Sequence, residues 1–487
     1  MKKVFVLFLS GLLAFGAASD LCAQDFETGY FLGGNPYAFR LNPAFQSERG
    51  IVSIGLGQTG VGTWSNLGIS TLLYPSSDGR SVYTFMNDNV STEAFLKKIH
   101  NRNSLDLDLN LNLLTVGFWA NDSFFTIDFN LRSVNGVGVP YDLFRFLKEG
   151  TQSVTSFDFS GTGFRSKTFA EAAFGWSRRF GPLSVGVRTK ALVGIVEAEA
   201  RMKNLKMTLN EDKWEIRGQG ELNASSPAVR VNRNENGEID WESLSFDDGQ
   251  MGPAGFGAAL DMGASWDVLP NLTLSAAILD FGTIRWNREI AGRTPETGYT
   301  WTPSEEPIDG DRDAMERELE EAGEALAGLF RFKDMDASGG EKAAFEMLPF
   351  RVNLGAEFRM PFYERLSVGA LYTGRGGSIF ARHTGRFSLN FSPADWFSMS
   401  TSTTLNRLGE SFGFAFNLHP AGVNLMVGCD YIPFSVVSIA PLIDDIPAKY
   451  ERYAVIPANR MNMNVYVSLN LALGRRHLDF ARRASAK

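Results

Sequence analysis

Several short stretches carry residue types that do chemistry in other proteins, and each breaks its pattern. Gly55-Leu56-Gly57-Gln58-Thr59-Gly60 has the spacing of a dinucleotide-binding turn and follows a strand-like run. That chemistry needs a helix whose N-terminal amides hold a pyrophosphate. Val61-Gly62-Thr63-Trp64-Ser65-Asn66 starts no helix. Asn232, Asn234, Asn236 and Gly237, with apolar Ile239, open like a calcium loop, and so do Asp334, Asp336, Ser338 and Gly339. The twelfth position, which should be a bidentate Glu, is Ser243 in the first and Phe345 in the second, so both read as polar loop turns. Asp280-Phe281-Gly282 has the kinase triplet without a glycine-rich loop and lysine strand, and reads as a strand ending in a turn. His100, His383, His419 and His477 are scattered without paired zinc spacing, and no Gly-x-Ser-x-Gly elbow is present. The sequence offers no catalytic residue, metal ligand set or cofactor, and reads as a non-enzyme.

The chain opens like an exported protein. Lys2 and Lys3 precede an apolar run from Val4 to Ala14, and Asp20-Leu21-Cys22-Ala23-Gln24 suits signal peptidase. Residues 1–24 are therefore read as a signal peptide. Cys22 raises a lipoprotein reading, but Leu21 stands where such sites want a small residue. Cleavage after Gln24 removes Lys2, Lys3 and Asp20, moving the net charge from -8 to -9. An acidic chain lacks the basic footprint that nucleic acid requires. Cys429 is then the only cysteine, so no internal disulfide holds the fold. No later stretch approaches the roughly 18 consecutive apolar residues of a membrane-spanning helix.

The strongest signal is period-two alternation. Leu105, Leu107, Leu109, Leu111 and Leu113 alternate with Asp106, Asp108, Asn110 and Asn112. Met463, Val465, Val467, Leu469, Leu471 and Leu473 alternate with Asn464, Tyr466, Ser468, Asn470 and Ala472. The pattern recurs over 125–131, 185–195, 352–358, 387–391 and 412–418. Several runs exceed the ~9–11 residues a tilted strand needs to cross a bilayer. The polar face is rich in Asn, Ser, Gly and Thr, as in a crowded lumen. Trp119, Trp176, Trp266 and Trp396 lie near strand ends, where interfacial girdles belong. These features predict an all-β, antiparallel transmembrane barrel of about 14 strands, with 12 to 18 tolerable, over residues 51–474. The alternative is a soluble propeller or sandwich.

Ala120-Asn121-Asp122, Phe180-Gly181-Pro182, Leu269-Pro270-Asn271 and Ser392-Pro393-Ala394-Asp395 have turn chemistry. Two longer interruptions, about 205–250 and 287–346, are assigned to external loops. Pro140 precedes a short helix over 141–148. Leu319, Ala322, Leu326 and Leu329 predict an amphipathic helix over 311–330, lying across the barrel mouth or offered to a partner.

Tyr30-Phe31-Leu32-Gly33-Gly34, Leu41-Asn42-Pro43-Ala44-Phe45, and Leu418-His419-Pro420-Ala421-Gly422-Val423-Asn424-Leu425 leading to Gly428-Cys429-Asp430 carry a resemblance. The layout resembles a Bacteroidota outer-membrane barrel family of unknown function. It is also similar to the long-chain fatty-acid transporter family and to the related barrel serving the type IX secretion system. The resemblance implies an N-terminal hatch over 25–50 that partly plugs the lumen, shaped by Asn42, Pro43 and Ala44. In the transporters that plug moves to admit hydrophobic ligands. The other reading is that Asn42-Pro43 only turns the chain into the first strand. The chain departs from the family in a hatch with less glycine and in a basic tail, 475–487, instead of a terminal aromatic. Two functions follow as expectations. One is a transporter-like channel in the cell outer membrane for a hydrophobic or amphipathic small molecule. The other is a non-transporting scaffold or secretion accessory that meets a protein partner through its external loops. In both, lipid surrounds the barrel.

Overall fold

The computed structural model describes residues 26–474 apart from 56, 76–81, 151–155, 210–213, 236–238, 247–251, 289, 295–296, 302–332, 335–343, 377–381, 407–408, 421, 433–435, 439–454 and 458–461. The helix expected over 311–330 and most of the second calcium-like turn lie outside these residues.

Fourteen antiparallel strands close on themselves. Strand β1 runs in two pieces, Gly50–Ile54 and Thr59–Ser65. Then come β2 (Arg102–Ala120), β3 (Ser123–Pro140), β4 (Gly163–Phe180), β5 (Leu183–Leu209), β6 (Gly255–Leu269) and β7 (Leu272–Trp286). Strand β8 has two pieces, Ala344–Met347 and Phe350–Met360. The circuit continues through β9 (Tyr363–Gly376), β10 (Arg382–Ala394), β11 (Phe397–Asn406), β12 (Gly409–Leu418), β13 (Val423–Ile432) and β14 (Met463–Leu473). Gly50 pairs with Leu473 and Thr59 with Val467, so the last strand hydrogen-bonds the first. Closure leaves no wall edge unpaired, which a hydrocarbon surround demands.

The alternation read from sequence faces as a membrane barrel requires. On β14, Val465, Leu469, Leu471 and Leu473 are exposed, while Asn464, Ser468 and Asn470 are buried inside. Val193, Phe174, Leu354, Phe387, Leu389 and Phe414 are exposed on other strands. Trp266 and Trp396 stand exposed near strand ends, as an interfacial girdle needs. Trp119 does not join them: a bulge at Asn112/Leu114 shifts the face of β2, and its indole N–H donates to the Ser47 carbonyl at 3.0 Å.

Six short turns, those leading into β3, β5, β7, β9, β11 and β13, lie at one end. Asn121 (φ 45°) and Asp122 (φ 53°) form the β2–β3 turn, and Gly181 (φ 60°) the β4–β5 turn. Both are left-handed positions that Asn, Asp and Gly tolerate best. The opposite end carries the longer connections, apart from the two residues that join β11 to β12. There the helix Tyr141–Glu149 follows Pro140, as expected. Part of the interruption expected at about 205–250 is strand instead. Strand β5 runs 27 residues, and its far half pairs with Trp214–Ser225. That strand pairs in turn with Ile290–Arg293 and Thr297–Trp301, inside the second expected interruption. The charges on these strands mimic loop composition because the layer stands beyond the apolar band.

The outward face sets a clear expectation. Phe174→Arg, about 20 Å along β4 from its turn, should cost about 2–4 kcal/mol, and Leu269→Arg, at a turn, about 0–1 kcal/mol. Urea unfolding in lipid vesicles measures both; equal costs would contradict this orientation.

Candidate functional site

The lumen is occupied by the chain's own N-terminal segment. Residues 26–49 form successive turns with one 3-10 turn, Ala38–Arg40, and pair with no wall strand. Phe26, Tyr37, Phe39, Leu41 and Asn42 are all buried. The segment carries its own apolar groups, and the wall answers with inward-facing apolar residues that break the polar-in rule. Phe26, Leu32, Tyr37 and Phe39 cluster with Ile51, Phe124, Ala415, Met426 and Tyr466. Tyr30 and Leu41 cluster with Leu371.

The residues expected to shape a hatch lie against β5, β6 and β7. The Asn42 amide nitrogen donates to Tyr30 Oη at 3.3 Å and to the carbonyls of Ala264 (3.2 Å) and Ala276 (3.3 Å). Its side-chain oxygen accepts from the Ala44 N–H at 3.0 Å. This asparagine therefore closes its own turn and anchors it to two strands. The wall is cut to fit. A Cβ on Gly263 would lie 2.0 Å from Asn42 Oδ1, and one on Gly186 would lie 2.0 Å from the Pro43 carbonyl oxygen. Only glycine permits that approach.

Charge holds the segment at two places. Arg40 donates to Asp128 at 3.0 Å, to Asn130 at 2.7 Å and to the Gln58 carbonyl at 3.2 Å. Asp128 also accepts from Arg188 at 2.8 Å. Arg188 continues to Asp261 at 3.1 Å, Asp261 accepts from Lys190 at 2.8 Å, and Lys190 reaches Asp280. Arg132 grips Asp280 with two nitrogens, at 2.8 and 3.1 Å, and Glu171 at 3.1 Å. Asp280, at φ 58°, donates its N–H to the Asp261 carboxylate at 2.7 Å, which fixes this bulge in mid-strand. The triplet Asp280-Phe281-Gly282 is thus a wall bulge, with the acid in the lumen and Phe281 exposed. At the second place Glu27 accepts from Arg375 (3.1 Å) and Arg386 (3.2 Å). The N–H groups of Glu27 and Thr28 donate to Asp430 at 3.1 and 2.7 Å.

Buried charges cost several kcal/mol each to desolvate unless geometry and hydrogen bonds compensate, and this network supplies both. It also packs the lumen tightly at this level. The space left among Arg40, Asn130, Arg132, Glu171, Lys190 and Asp280 is about 40 Å³, the scale of one water. Beyond the network, Phe169, Leu192, Ile284 and Trp286 form an inward apolar patch. At the tight-turn end an open chamber of about 860 Å³ is roofed by Tyr30, Phe31 and Phe45.

The alternation over 125–131 and 185–195 puts Asp128, Arg188 and Lys190 on polar faces without naming their partners. It missed Arg40, Glu27, Arg386, Asp261 and Asp430 as partners. The available signal was full charges at inward positions of strands otherwise lined by Asn, Ser and Thr. Glu197, Glu199 and Glu346 lie close together, but Lys167 and Arg288 sit among them as counter-charges.

A sequence family matches residues 43–430, most of the chain. The chain belongs to a family of unknown function, DUF5723. No curated protein matches it in sequence. Solved structures with a similar barrel include the Ralstonia pickettii toluene transporter TbuX. It is 9% identical, with 93% of this chain and 99% of that chain covered and a TM-score of 0.44. A Pseudomonas aeruginosa FadL homologue is 11% identical, with 93% and 99% covered and a TM-score of 0.37. The Pseudomonas putida toluene transporter TodX is 6% identical, with 94% and 96% covered and a TM-score of 0.37. At such identities the likeness says nothing of this DUF5723 chain's ligand.

Removing one partner of a buried pair costs about 3–5 kcal/mol. Arg40→Ala should therefore loosen the segment, and Gly186→Leu should expel it by occupying the place of the Pro43 carbonyl. Limited proteolysis of the membrane-embedded protein checks this. Residues 26–49 should resist cleavage in the unaltered chain and be cut in both variants.

Proposed function

We propose that the protein is a bacterial outer-membrane barrel that passes a hydrophobic or amphipathic small molecule when its N-terminal segment moves. Asn42, Pro43 and Ala44 form the hatch, and the tight-turn end faces the periplasm. One observation carries this reading: residues 26–49 fill the lumen through side-chain and turn contacts, without joining any strand ladder. A stopper held this way separates from the wall without breaking the barrel. The inward patch of Phe169, Leu192, Ile284 and Trp286 suits an apolar solute on the far side of the ionic layer. Deletion of residues 25–50 tests the reading in planar bilayers and in uptake of a hydrophobic reporter. Conductance and uptake should both rise; unchanged values would contradict it.

The layer built from the end of β5, Trp214–Ser225, Ile290–Arg293 and Thr297–Trp301 favours a second reading, a scaffold that holds a protein partner outside the cell. Pull-downs from native membranes that return no stable partner would remove its support.

A further inference from the structure

The outer surface of the barrel is not uniformly convex. An apolar groove of about 630 Å³ crosses β7 to β12 on the side that faces lipid. Phe358, Val368, Leu389 and Phe412 wall it, and its floor includes Ala370 and Thr401. Small outward residues between large ones make the depression, and the floor reaches the wall backbone at Gly369. Gly369 also meets the lumen: a Cβ there would lie 2.3 Å from the Phe31 ring. The wall between the groove and the N-terminal segment is thus one backbone thick.

Position identifies the occupant. Leu272 starts β7 at the tight-turn end, and Val368 and Ala370 are the sixth and eighth residues of β9. Leu389 is the sixth residue from the end of β10, and Phe412 the seventh from the end of β12. At ~3.3 Å per residue and a tilt near 40°, the groove rises no more than about 18 Å from that end. It lies against the leaflet on the tight-turn side and stops short of the long-loop boundary. The volume falls in the range of small-molecule sites, roughly 300–1,000 Å³, and the lining is apolar. A polar ligand finds little there, whereas a hydrocarbon chain covers surface that a straight annular lipid would leave underpacked.

We propose that this groove seats one acyl chain of a phospholipid from the leaflet on the tight-turn side. The seat is separate from the lumen and independent of transport; its choice of phospholipid over lipopolysaccharide rests on the reading above that the tight-turn end faces the periplasm. Native mass spectrometry of the full chain, released from membranes and offered phosphatidylethanolamine and lipopolysaccharide together, tests it. The barrel should retain one phospholipid. Ala370→Phe, which fills the groove, should reduce the retained fraction at least five-fold. Val193→Phe, exposed on the far wall, should leave it unchanged. Thr401→Phe carries the same expectation as Ala370→Phe, so a folding failure of one variant leaves the test intact. Absence of a retained lipid, equal loss in Val193→Phe, or retention of lipopolysaccharide in place of phospholipid would overturn the proposal.

Discussion

The carboxylate of Asp128 sits between Arg40 of the N-terminal segment and Arg188 of the wall, with no access to solvent. A charge placed there has to be neutralised from both sides, and the two cations come from different parts of the molecule. The wall alone would leave Asp128, Arg188, Asp261 and Lys190 in an unfilled lumen. The segment alone would have no reason to bury Arg40. Each compensates the other's charges, so the closed barrel and the segment inside it form one structure.

The same dependence governs the rest of the interior. Tyr466, Met426, Phe124 and Ile51 point inward from strands whose other inward residues are polar. They bury apolar surface only because Phe26, Tyr37 and Phe39 lie against them. Gly186 and Gly263 thin the wall where Pro43 and Asn42 press on it. The segment is held by many modest contacts and two ionic anchors, with no backbone ladder to the wall. The strand ladder of the wall is therefore complete without the segment.

Much of the barrel was legible because alternation is a local property. Leu105 to Leu111 face outward as their spacing requires, and Asn121-Asp122 and Gly181-Pro182 turn the chain where their backbone preferences allow. Asn42, Pro43 and Ala44 were named from a resemblance, and their contacts to Ala264, Ala276 and Gly186 lie where no local pattern reaches. The ionic layer was not legible for the same reason. Arg188 is 60 residues from Asp128, and Arg386 is 359 residues from Glu27, so nothing in either neighbourhood names its partner. Trp119 was misplaced because the bulge before Leu114 exchanges the two faces of β2. The strands at 214–225, 290–293 and 297–301 fall in the stretches expected as loops because this layer stands beyond the apolar band.

Hydrogen exchange of residues 26–49, followed by mass spectrometry on the protein in lipid nanodiscs, tests the central claim most directly. Buried amides in a seated segment exchange only on local opening. The account predicts protection of Glu27, Thr28, Arg40, Leu41 and Asn42 that approaches that of β3 and β5, and its loss in Asp128→Ala. Exchange at the rate of an unstructured peptide in the unaltered protein would contradict it.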